Sequence, residues 1–493
     1  MIPVSPVTLV DSGCELRPDP ARVVTRLFVA GREDVGPGDS RATPVLLRVL
    51  ALSEDEVAAS MRDLDERFAH RHRTMHATFR EHAEVVTARI DGAADTMSEA
   101  RRLLLGAAFT HEYAIEGAAL CNPSAVLYPD VDSAGTAAFV ISVRGIGEGH
   151  RSSIGFRTGS VTADGVVTLH AAEPFPMIGL AVPAPNRRAV LHAKLDERDD
   201  DRENAAFVLD PLPEVFDDAA LTERFEALTA DVATRRHTGD TIANILQVAS
   251  SSYRIDFPAE VALSERVLWP QSPAERHGME DARFVRFVDD DGNVVYYATY
   301  TAFDGVNIAQ HLLETDDFMS FTASPLAGAS AQGKGLALFP RKVHGRYVAL
   351  SRSDRESNSV AYSDDMRCWH TSEQIQAPER PWELLQLGNC GSPIETDAGW
   401  LVLTHGVGAM RTYSLGVLLL DLDQPEHVIA SSLLPIVTPT TGRRDGYVPN
   451  VVYSCGGFAH GDTLVLPYGI ADQTIAIATM SIGALLASLQ PAS

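Results

Sequence analysis

Cysteine is scarce in this sequence, and so are the spacings that give cysteine a structural role. The 493 residues include only five cysteines, with no Cys-x-x-Cys pair, and they lie far apart: Cys14, Cys121, Cys368, Cys390 and Cys455. An odd number of widely spaced cysteines predicts neither a disulfide framework nor a zinc knuckle. We therefore expect the fold to depend on an ordinary apolar core, for which 45% of apolar residues is ample.

Positive charge is also in short supply. Lys and Arg number 41 against 66 Asp and Glu, which gives a net charge of −25. Nucleic acids and anionic membranes need clustered positive charge, so neither is predicted as a partner. The sequence shows no basic region followed by an apolar run at its N-terminus and no apolar run of the ~18 residues that a membrane helix needs. We predict a cytoplasmic enzyme that acts on small molecules, in which any anionic ligand needs a local basic pocket.

Helical patterns occupy two regions of the chain. From about residue 40 to 110, apolar residues recur at helical spacing, and Ser53 with Glu56 three residues later predicts a helix start. We assign residues 1–117 to an N-terminal segment with a helical bundle, which could mediate packing or the formation of a homo-oligomer. A second pattern predicts a helical insertion at about 190–250, with Asp217 or Asp218 as a cap.

The remaining part of residues 118–493 is rich in strands, and its pattern repeats. Each of five units has an apolar strand that ends in a polar residue, a short loop and a second strand. The first strands are 139–144, 296–301, 347–352, 400–405 and 463–468. The last four recur at about 50 to 60 residues, a period that suits four-stranded propeller blades. The prediction is an all-β five-bladed propeller; a β-sandwich would not explain five similar units.

In a propeller, equivalent strand ends converge on one central pocket. The strand-end residues are Arg144, Thr301, Arg352, His405 and Tyr468, and further candidates in the following loops are Asp304, Asp354, Arg355, Arg411, Tyr413 and Asp472. Carboxylates with hydroxyl-bearing and aromatic residues suit a sugar. The basic subset suits an anion such as phosphate, and it comprises Arg352, His405, Lys334, Lys342, Arg355 and Arg411.

The segment 278–283 places two adjacent carboxylates, Glu280 and Asp281, with Arg283 just ahead of the apolar strand 284–287. Adjacent like charges raise each other's pKa, which is a condition for proton-donor chemistry. The segment therefore predicts an acid group at the entrance of the second unit.

Together with this segment, a series of short motifs occurs in a fixed order: 122–125, Arg144, 278–283, 297–304, 338–342, 362–365, 399–407, 413–423, 448–452, 455–456 and 468–472. This ordered set resembles family 130 of the glycoside hydrolases, which contains β-mannoside phosphorylases and a few β-mannosidases. The resemblance covers about residues 118–485, apart from the helical insertion, and it implies a five-bladed propeller.

The resemblance also implies a reaction. Asp281 matches the general acid, which protonates the glycosidic oxygen of a β-mannoside through the 3-hydroxyl of the mannosyl ring. Phosphate attacks the anomeric carbon from the opposite face and inverts it, which gives α-mannose 1-phosphate. Inorganic phosphate is then a co-substrate, and neither an organic cofactor nor a metal is needed. The partner is a small β-mannoside or manno-oligosaccharide.

The resemblance also assigns residues to the phosphate and to the mannosyl group. Arg352 and His405 match family positions that contact phosphate, and we add Arg355, Lys342 and Arg411 from their charge. Arg144 and Asp472 match positions near the mannosyl group, and the other sugar-binding candidates are Glu280, Asp304, Tyr413 and Tyr468. Arg283 either orients Asp281 or forms a structural ion pair. The chain departs from the family pattern at Ala282, where proline is common, and in the segment 386–393.

Two alternatives stay open from the sequence. An inverting β-mannosidase would use water activated by a carboxylate such as Glu356, Asp354 or Glu395. A glycan-binding propeller without activity would need no acid, so the Glu280–Asp281 pair disfavours it. The sequence does not name the acceptor sugar or the linkage.

Overall fold

The computed structural model describes residues 7–28, 42–88, 97–131, 135–198, 202–230 and 237–492. The chain forms two compact units. The smaller consists of Asp19–Gly117 and Glu173–Met177, and the larger consists of Met1–Pro18, Ala118–Ala172 and Ile178–Ser493.

The smaller unit combines helices with a short antiparallel sheet. After strand β1 (Val10–Leu16), which belongs to the larger unit, the elements are β2 (Val23–Leu27), α1 (Ala42–Ala51), α2 (Glu54–Phe68), α3 (Met75–Thr87), α4 (Glu99–Ala108) and β3 (Thr110–Ala114). Ser53 and Glu56 form the capping box of α2, which confirms the predicted helix start. Residues 40, 41 and 89–96 of the predicted helical region lie outside the described residues.

Arg101 of α4 fixes the end of α1. Its guanidinium donates hydrogen bonds to the carbonyl oxygens of Val49 at 2.6 Å and Leu52 at 2.8 Å, and it pairs with Glu54 at 2.7 Å. One buried arginine thus satisfies carbonyl groups that a helix end leaves without intrahelical partners.

The larger unit is built mainly from antiparallel strands. Its first four-stranded meander comprises β4 (Ala119–Val131), β5 (Ala137–Ile146), β6 (Ser152–Val161) and β7 (Val167–Leu169). We call this meander 1.

The next part of the chain holds the helical insertion, α5 to α8, and several short strands. In order these are β8 (Met177–Ile178), β9 (Leu180–Pro183), β10 (Asn186–Arg187), α5 (Arg188–Asp196), α6 (Arg202–Leu209), β11 (Val215–Phe216), α7 (Asp218–Ala230), α8 (Thr238–Ala249), β12 (Tyr253–Asp256) and β13 (Arg266–Leu268). The four helices share an apolar core that includes Leu191, Val208, Leu228 and Ile245. Asp217 caps α7, since its carboxylate accepts a hydrogen bond from the Ala220 amide at 2.9 Å. Residues 199–201 and 231–236 of the predicted insertion lie outside the described residues.

Four further meanders follow. Meander 2 is β14 (Gly278–Val288), β15 (Val294–Phe303), β16 (Ile308–Thr315) and β17 (Ser320–Pro325). Meander 3 is β18 (Ala337–Leu338), β19 (Tyr347–Ser351), β20 (Asn358–Ser363) and β21 (Thr371–Gln376). Meander 4 is β22 (Gln386–Asn389), β23 (Ile394–Thr396), β24 (Gly399–Gly408), β25 (Thr412–Leu420) and β26 (Val428–Ser431). Meander 5 contains β27 (Val452–Tyr453), β28 (Phe458–His460), β29 (Thr463–Ile470) and β30 (Thr474–Ser481), after which come α9 (Ile482–Ala487) and β31 (Gln490–Pro491).

Strand β1 completes meander 5. It pairs antiparallel with β30, with Val10 opposite Thr479 and Leu16 opposite Ile475. The predicted segment 1–117 therefore contains a strand that belongs to the last sheet of the chain. A domain boundary at residue 118 stays a prediction.

The predicted first strands of the five repeats coincide with inner strands of the meanders, namely β5, β15, β19, β24 and β29. A fold made mainly of antiparallel strands is therefore confirmed. In the part of the chain that the structure describes, none of the helices has both the length and the apolarity that crossing a membrane requires.

Candidate active site

Asp281 lies inside strand β14, within an irregularity of its pairing. The register of β14 against β15 shifts between Glu280 and Arg283, so Asp281 and Ala282 together lie opposite a single residue of β15, and Asp281 has a φ of 56°. The prediction that this segment precedes the strand is wrong: the strand begins at Gly278. A bulge re-aims side chains and commonly occurs beside active sites. After the bulge, the backbone amide of Phe284 donates a hydrogen bond to Ser124 Oγ at 3.0 Å, so this buried amide keeps a hydrogen-bond partner.

Meander 1 supplies the partners of the two carboxylates. Arg144 Nη1 lies 3.2 Å from Asp281 Oδ1, while Arg144 Nη2 donates to Glu280. The Asn122 side-chain amide also donates to Asp281 Oδ1. Asp281 is only 5% exposed, so these contacts take place in a desolvated environment where they are strong.

The two neighbouring carboxylates have opposite pKa shifts. For Glu280, burial is the largest effect and raises the pKa, with Asp281 adding to it. For Asp281, burial also acts to raise the pKa, but Arg144, Lys334 and Arg283 together outweigh it and hold the pKa at about 2. The expectation that crowding raises the pKa therefore holds for Glu280 and is wrong for Asp281, because the cations around Asp281 dominate.

Asp472 of meander 5 is the third carboxylate of this group. Burial raises its pKa to about 6, with Asp281 adding to the effect and Arg144 and Arg411 opposing it. Its φ of 46° places it in the left-handed region, directly after Ala471 at 52°. The predicted residues Arg144, Glu280, Asp281, Arg411 and Asp472 are thus brought close enough to influence one another electrostatically.

Arg283 orients the backbone at Asp281 rather than pairing with its carboxylate. Its Nη1 donates to the Asp281 carbonyl oxygen at 3.0 Å, and its Nη2 donates to the Tyr453 hydroxyl at 2.9 Å. Of the two options that the sequence left open, the geometry favours the orienting role, although the Arg283 charge also lowers the pKa of Asp281.

Arg352 and His405 form a second buried pair. They are 4% and 1% exposed, and Arg352 Nη1 lies 3.4 Å from His405 Nε2. Burial lowers the His405 pKa well below its usual value, with Arg352 adding to the effect, so the imidazole is neutral. His405 Nδ1 lies 3.2 Å from the Asn389 carbonyl oxygen. A proton on Nδ1 satisfies that contact and leaves Nε2 as the acceptor for Arg352.

Arg352 is a buried cation with spare hydrogen-bonding capacity. Among the described residues, no carboxylate lies within ion-pair distance of its guanidinium, and its Nε has no hydrogen-bond partner. Burial lowers its pKa, with the nearby Arg283 acting in the same direction. Buried charges are normally paired, so this arrangement favours an anionic ligand.

Two glycines make room for the Arg352 side chain. A Cβ added at Gly335 would lie 2.8 Å from Arg352 Cδ. A Cβ at Gly388 would lie 2.7 Å from Arg352 Nε and 2.6 Å from His405 Cε1. Gly388 belongs to the segment 386–393 in which the chain departs from the family pattern, and its missing side chain shapes the Arg352–His405 pair.

Three loop and strand candidates lie beside these groups. The Tyr413 ring stacks on His405, with centroids 6.0 Å apart and an interplanar angle of 15°. Asp304 and Arg355 line one cavity, which also reaches Gly333. The Asp304 carboxylate accepts hydrogen bonds from the amides of Val306 and Asn307, both at 2.7 Å, so it stabilises its own turn.

Lys342 and Tyr468 are not brought into the group. Lys342 pairs with Asp290 at 2.7 Å and lies over Tyr347, at the start of β19, whereas Arg352 follows the end of that strand. Five residues of strand separate the two ends by roughly 16 Å. Tyr468 packs in an apolar cluster, and the charges that act on it are those of Asp11, Arg443 and Glu15.

Two of the three carboxylates named for a water-activating base are separated from the group or engaged in their own turn. Glu395 pairs with Arg341 at 2.6 Å and lies opposite Trp400, at the end of β24 remote from His405. Asp354 accepts hydrogen bonds from the amides of Glu356 and Ser357, each at 3.0 Å, within its own turn.

Asn122 and Tyr453 were absent from the predicted catalytic and binding residues, and Lys334 was given no role of its own. Asn122 has a φ of 49° beside a register shift in β4, and backbone conformations of this kind cannot be read from residue types. Tyr453 lies on a two-residue strand, which is too short to produce a periodic pattern. Lys334 appeared only within the basic subset, and Gly333 and Gly335 on either side were the available signal.

Two histidines in the smaller unit, His72 and His76, have a spacing that occurs in metal sites. His72 contacts Glu112 and His76 contacts Asp65, each at 2.7 Å, so they face different carboxylates. Within the described ranges, no group of three or more His, Cys, Asp or Glu side chains is arranged to hold a metal ion. The prediction of a metal-free reaction remains untested.

Buried carboxylates with opposed pKa shifts, beside a buried cation without a counter-ion, are typical of an enzyme active site. Comparison with known proteins agrees with this class. The model of glycoside hydrolase family 130, described as β-1,4-mannooligosaccharide phosphorylase, matches residues 230–490.

Individual relatives extend the comparison. A 1,2-β-oligomannan phosphorylase from Thermoanaerobacter sp. (strain X514) is 34% identical over 227 residues, which is 45% of this chain and 74% of that protein. A β-1,4-mannooligosaccharide phosphorylase from Ruminococcus albus is 31% identical over 180 residues, or 34% of this chain and 53% of the relative. The solved β-1,2-mannobiose phosphorylase from Listeria innocua, in complex with β-1,2-mannobiose, is 22% identical and covers 76% of this chain and 93% of its own, with a TM-score of 0.46.

The chain belongs to family 130 of the glycoside hydrolases, and it is an enzyme of the glycoside phosphorylase class.

Proposed function

We propose that the protein is an inverting β-mannoside phosphorylase, which cleaves a β-mannosidic bond with inorganic phosphate and releases α-mannose 1-phosphate. The observation that carries the proposal is the buried Arg352, which lacks a carboxylate partner among the described residues and contacts a neutral His405. Phosphate provides the missing negative charge and several acceptor oxygens for the guanidinium. The curated relatives named as mannoside phosphorylases support this assignment.

We assign the mannosyl group to the carboxylate side of the site. Glu280, Asp281 and Asp472 can accept hydrogen bonds from sugar hydroxyls, and Arg144 holds the first two in place. Thr301 lies opposite Glu280 in the sheet, and its buried Oγ1 has no partner among the described residues. A sugar hydroxyl would satisfy this group.

Asp281 is the proposed proton donor, acting through the 3-hydroxyl of the mannosyl ring. With a pKa of about 2 it is ionised near neutral pH, because Arg144, Lys334 and Arg283 outweigh the effect of burial. A phosphate anion bound near these cations lowers the positive potential and raises the Asp281 pKa. We therefore infer that phosphate binding helps Asp281 to acquire its proton, so that the acid forms only when the nucleophile is present.

We further infer that the five meanders are the blades of a five-bladed propeller. Contacts between meanders support it: Arg144 of meander 1 reaches Asp281 of meander 2, and Arg352 of meander 3 reaches His405 of meander 4. Arg283 of meander 2 also contacts Tyr453 of meander 5. A common axis would explain these contacts between polar residues of different meanders.

A cytoplasmic location and self-association through the helical segment complete the proposal. Cell fractionation and light scattering of the purified protein test these two points independently of activity.

The experiment incubates the protein with α-mannose 1-phosphate and a panel of free sugars, and measures phosphate release. Phosphate release with at least one acceptor is expected. Asp281→Asn is expected to lower the rate about 10²- to 10⁴-fold, since it removes a general acid. Asp364→Asn is the matched control, because the Asp364 side chain is 86% exposed on the surface.

Phosphate-independent cleavage of mannobiosides, with no release of phosphate from mannose 1-phosphate, would overturn the proposal in favour of hydrolysis. Unchanged turnover of Asp281→Asn would remove the assignment of the acid.

A further inference from the structure

The helical insertion forms one wall of the polar cavity that Asp304 and Arg355 line. The cavity has a volume of about 740 Å³, within the range of about 300–1,000 Å³ that small-molecule sites occupy. From the insertion it is lined by Lys194, Glu197, Arg198 and Gln247, and from the strand-end loops by Asp304 and Arg355.

The end of α5 is anchored to the sheet side of the cavity. Glu197 Oε1 accepts a hydrogen bond from the Gly328 amide at 2.7 Å, and Glu197 Oε2 pairs with Lys194 at 2.9 Å. This hydrogen bond between the end of α5 and the loop at Gly328 fixes the distance between the two walls of the cavity. The cavity is therefore a preformed feature of the larger unit.

Arg355, which lines the cavity, is held to Arg352 by two hydrogen bonds. The Arg355 amide donates to the Arg352 carbonyl oxygen at 2.9 Å, and Arg352 Nη2 donates back to the Arg355 carbonyl oxygen at 3.0 Å. Gly333 lines the cavity, while the next residue, Lys334, acts on the pKa of Asp281. A ligand that spans both places would have one end near Asp281 and the other against the insertion.

The lining provides both donors and acceptors, and its carboxylates are engaged within the protein. Lys194 and Glu197 neutralise each other, and the Asp304 carboxylate is engaged in its own turn. Arg198 Nη1 donates to Gln247 Oε1 at 3.0 Å, which leaves the Gln247 amide hydrogens and the other Arg198 donors for a ligand. Such a mixture of donors and acceptors suits the hydroxyls of a sugar.

His311 adds a neutral polar wall on the sheet side. It is 1% exposed, and its Nδ1 lies 3.2 Å from the Tyr300 hydroxyl. Burial lowers the His311 pKa to about 4, against the opposing effect of Glu275, so the ring carries no charge at neutral pH. An uncharged wall favours an uncharged ligand.

We propose that this cavity binds a sugar unit on the acceptor side of the mannosidic bond, with Arg198 and Gln247 of the insertion as specificity-determining residues. The proposal rests on the proposed phosphorylase function, because that function defines an acceptor. The insertion then determines which reducing-side sugars the enzyme uses, while the strand-end residues hold the mannosyl group and phosphate.

The test uses the full-length double variant Arg198→Ala/Gln247→Ala in the synthetic direction. The KM for the acceptor sugar is expected to rise about tenfold, while the KM for α-mannose 1-phosphate stays within about twofold. Arg202→Ala is the matched control, because Arg202 is on α6, 76% exposed and outside the cavity lining. An unchanged acceptor KM in an active protein overturns the cavity assignment and leaves the phosphorylase function intact.

A binding measurement separates the two proposals when turnover is absent. Calorimetric titration of β-mannotriose into Asp281→Asn, with and without the double substitution, is expected to show about tenfold weaker binding when Arg198 and Gln247 are replaced. Equal affinities overturn the inference. If affinity for β-mannotriose falls tenfold although the unsubstituted protein releases no phosphate, the sugar site is supported. In that case only the proposal of phosphorolysis is overturned.

Discussion

At the scale of single residues, the site gives three neighbouring carboxylates different pKa values: the pKa of Asp281 is lowered, and those of Glu280 and Asp472 are raised. Asp281 is held at a pKa of about 2 and Asp472 is raised to about 6, although both are buried. Arg144 makes the difference, because its guanidinium bonds Asp281 directly at 3.2 Å. The same fold region can therefore hold one carboxyl group ionised and another protonated at mildly acidic pH.

The raised pKa of Asp472 predicts a pH-dependent stability. Its pKa is 3.8 before burial and about 6 in the folded protein, so the folded state binds the proton more tightly. This stabilisation is present below pH 3.8 and is lost as pH rises through 6. We expect Asp472→Asn to gain stability relative to the unsubstituted protein by about 2 kcal/mol between pH 4 and pH 7.

Urea unfolding of both proteins at the two pH values measures this change. Asp364→Asn, on the exposed surface, should show no such trend. A stability difference for Asp472→Asn that is the same at pH 4 and pH 7 would show that Asp472 does not titrate in this interval.

Gly388 offers a direct test of the proposed phosphate site. A methyl group there would press on Arg352 Nε and His405 Cε1, at 2.7 and 2.6 Å. We expect Gly388→Ala to raise the KM for phosphate about tenfold, because one displaced charged hydrogen bond is worth roughly that factor. Mannoside binding, measured by calorimetry, should persist and shows that the variant is folded.

Gly239→Ala is the matched glycine control, since a Cβ there meets nothing within 4 Å. An unchanged phosphate KM in folded Gly388→Ala would argue that phosphate does not bind at the Arg352–His405 pair.

Residue types alone identified much of the site but not its arrangement. Charge and position selected Arg144, Asp281, Arg352, His405 and Asp472, and the structure groups them. The positive φ of Asp281 and the bulge around it depend on pairing with β15, which no local pattern encodes. The misplacement of Lys342 has a related cause, because sequence order does not reveal which end of a strand a neighbouring loop occupies.

At the scale of elements, helix starts were predictable where a local hydrogen bond defines them. Ser53 and Glu56 form their capping box within four residues, and Asp217 caps α7 in the same local way. Packing between helices depends on longer-range contacts. Helices α3 and α4 approach so closely that a Cβ at Gly106 would lie 1.7 Å from the Phe79 carbonyl oxygen.

This contact predicts opposite effects for two glycine substitutions in helices. Gly106→Ala should destabilise the protein by about 1–3 kcal/mol, because steric overlap outweighs the gain in helix propensity of about 1 kcal/mol. Gly239→Ala in α8 has open space and should be neutral or stabilising by up to about 1 kcal/mol. Chemical denaturation measures both; equal effects would mean that α3 and α4 can separate without loss.

At the scale of the whole molecule, repetition was the most informative property of the sequence. Five similar units predicted five strand pairs, and each lies in one antiparallel meander among the described residues, with meanders 1 and 2 joined by the pairing of β6 with β14. The role of β1 was not predictable from the repeat, because its sequence, VDSGCEL, is short and polar. β1 pairs with the edge of β30 that β29 leaves unpaired, and this edge is available only once the last sheet has formed.

Removing β1 should therefore affect the larger unit strongly. We expect deletion of residues 1–17 to lower the Tm by about 5 °C and to promote self-association through the exposed edge of β30. Calorimetry and light scattering measure the two effects. Deletion of residues 1–8, which keeps Val10–Leu16, is the control. Identical Tm and molar mass for both deletions would show that β1 adds little to the sheet.

The pairing of β1 with β30 also has a consequence for biosynthesis. Ser12 Oγ donates to the Ile477 carbonyl oxygen at 2.7 Å, across 465 positions of the chain. At translation rates of about 5–20 residues per second, β1 leaves the ribosome roughly 25 to 90 seconds before its partner strand is complete. During this delay its polar side chains, among them Asp11 and Glu15, disfavour premature pairing with other strands. The last sheet can therefore close only after synthesis has passed β30, which makes this closure a late step in folding.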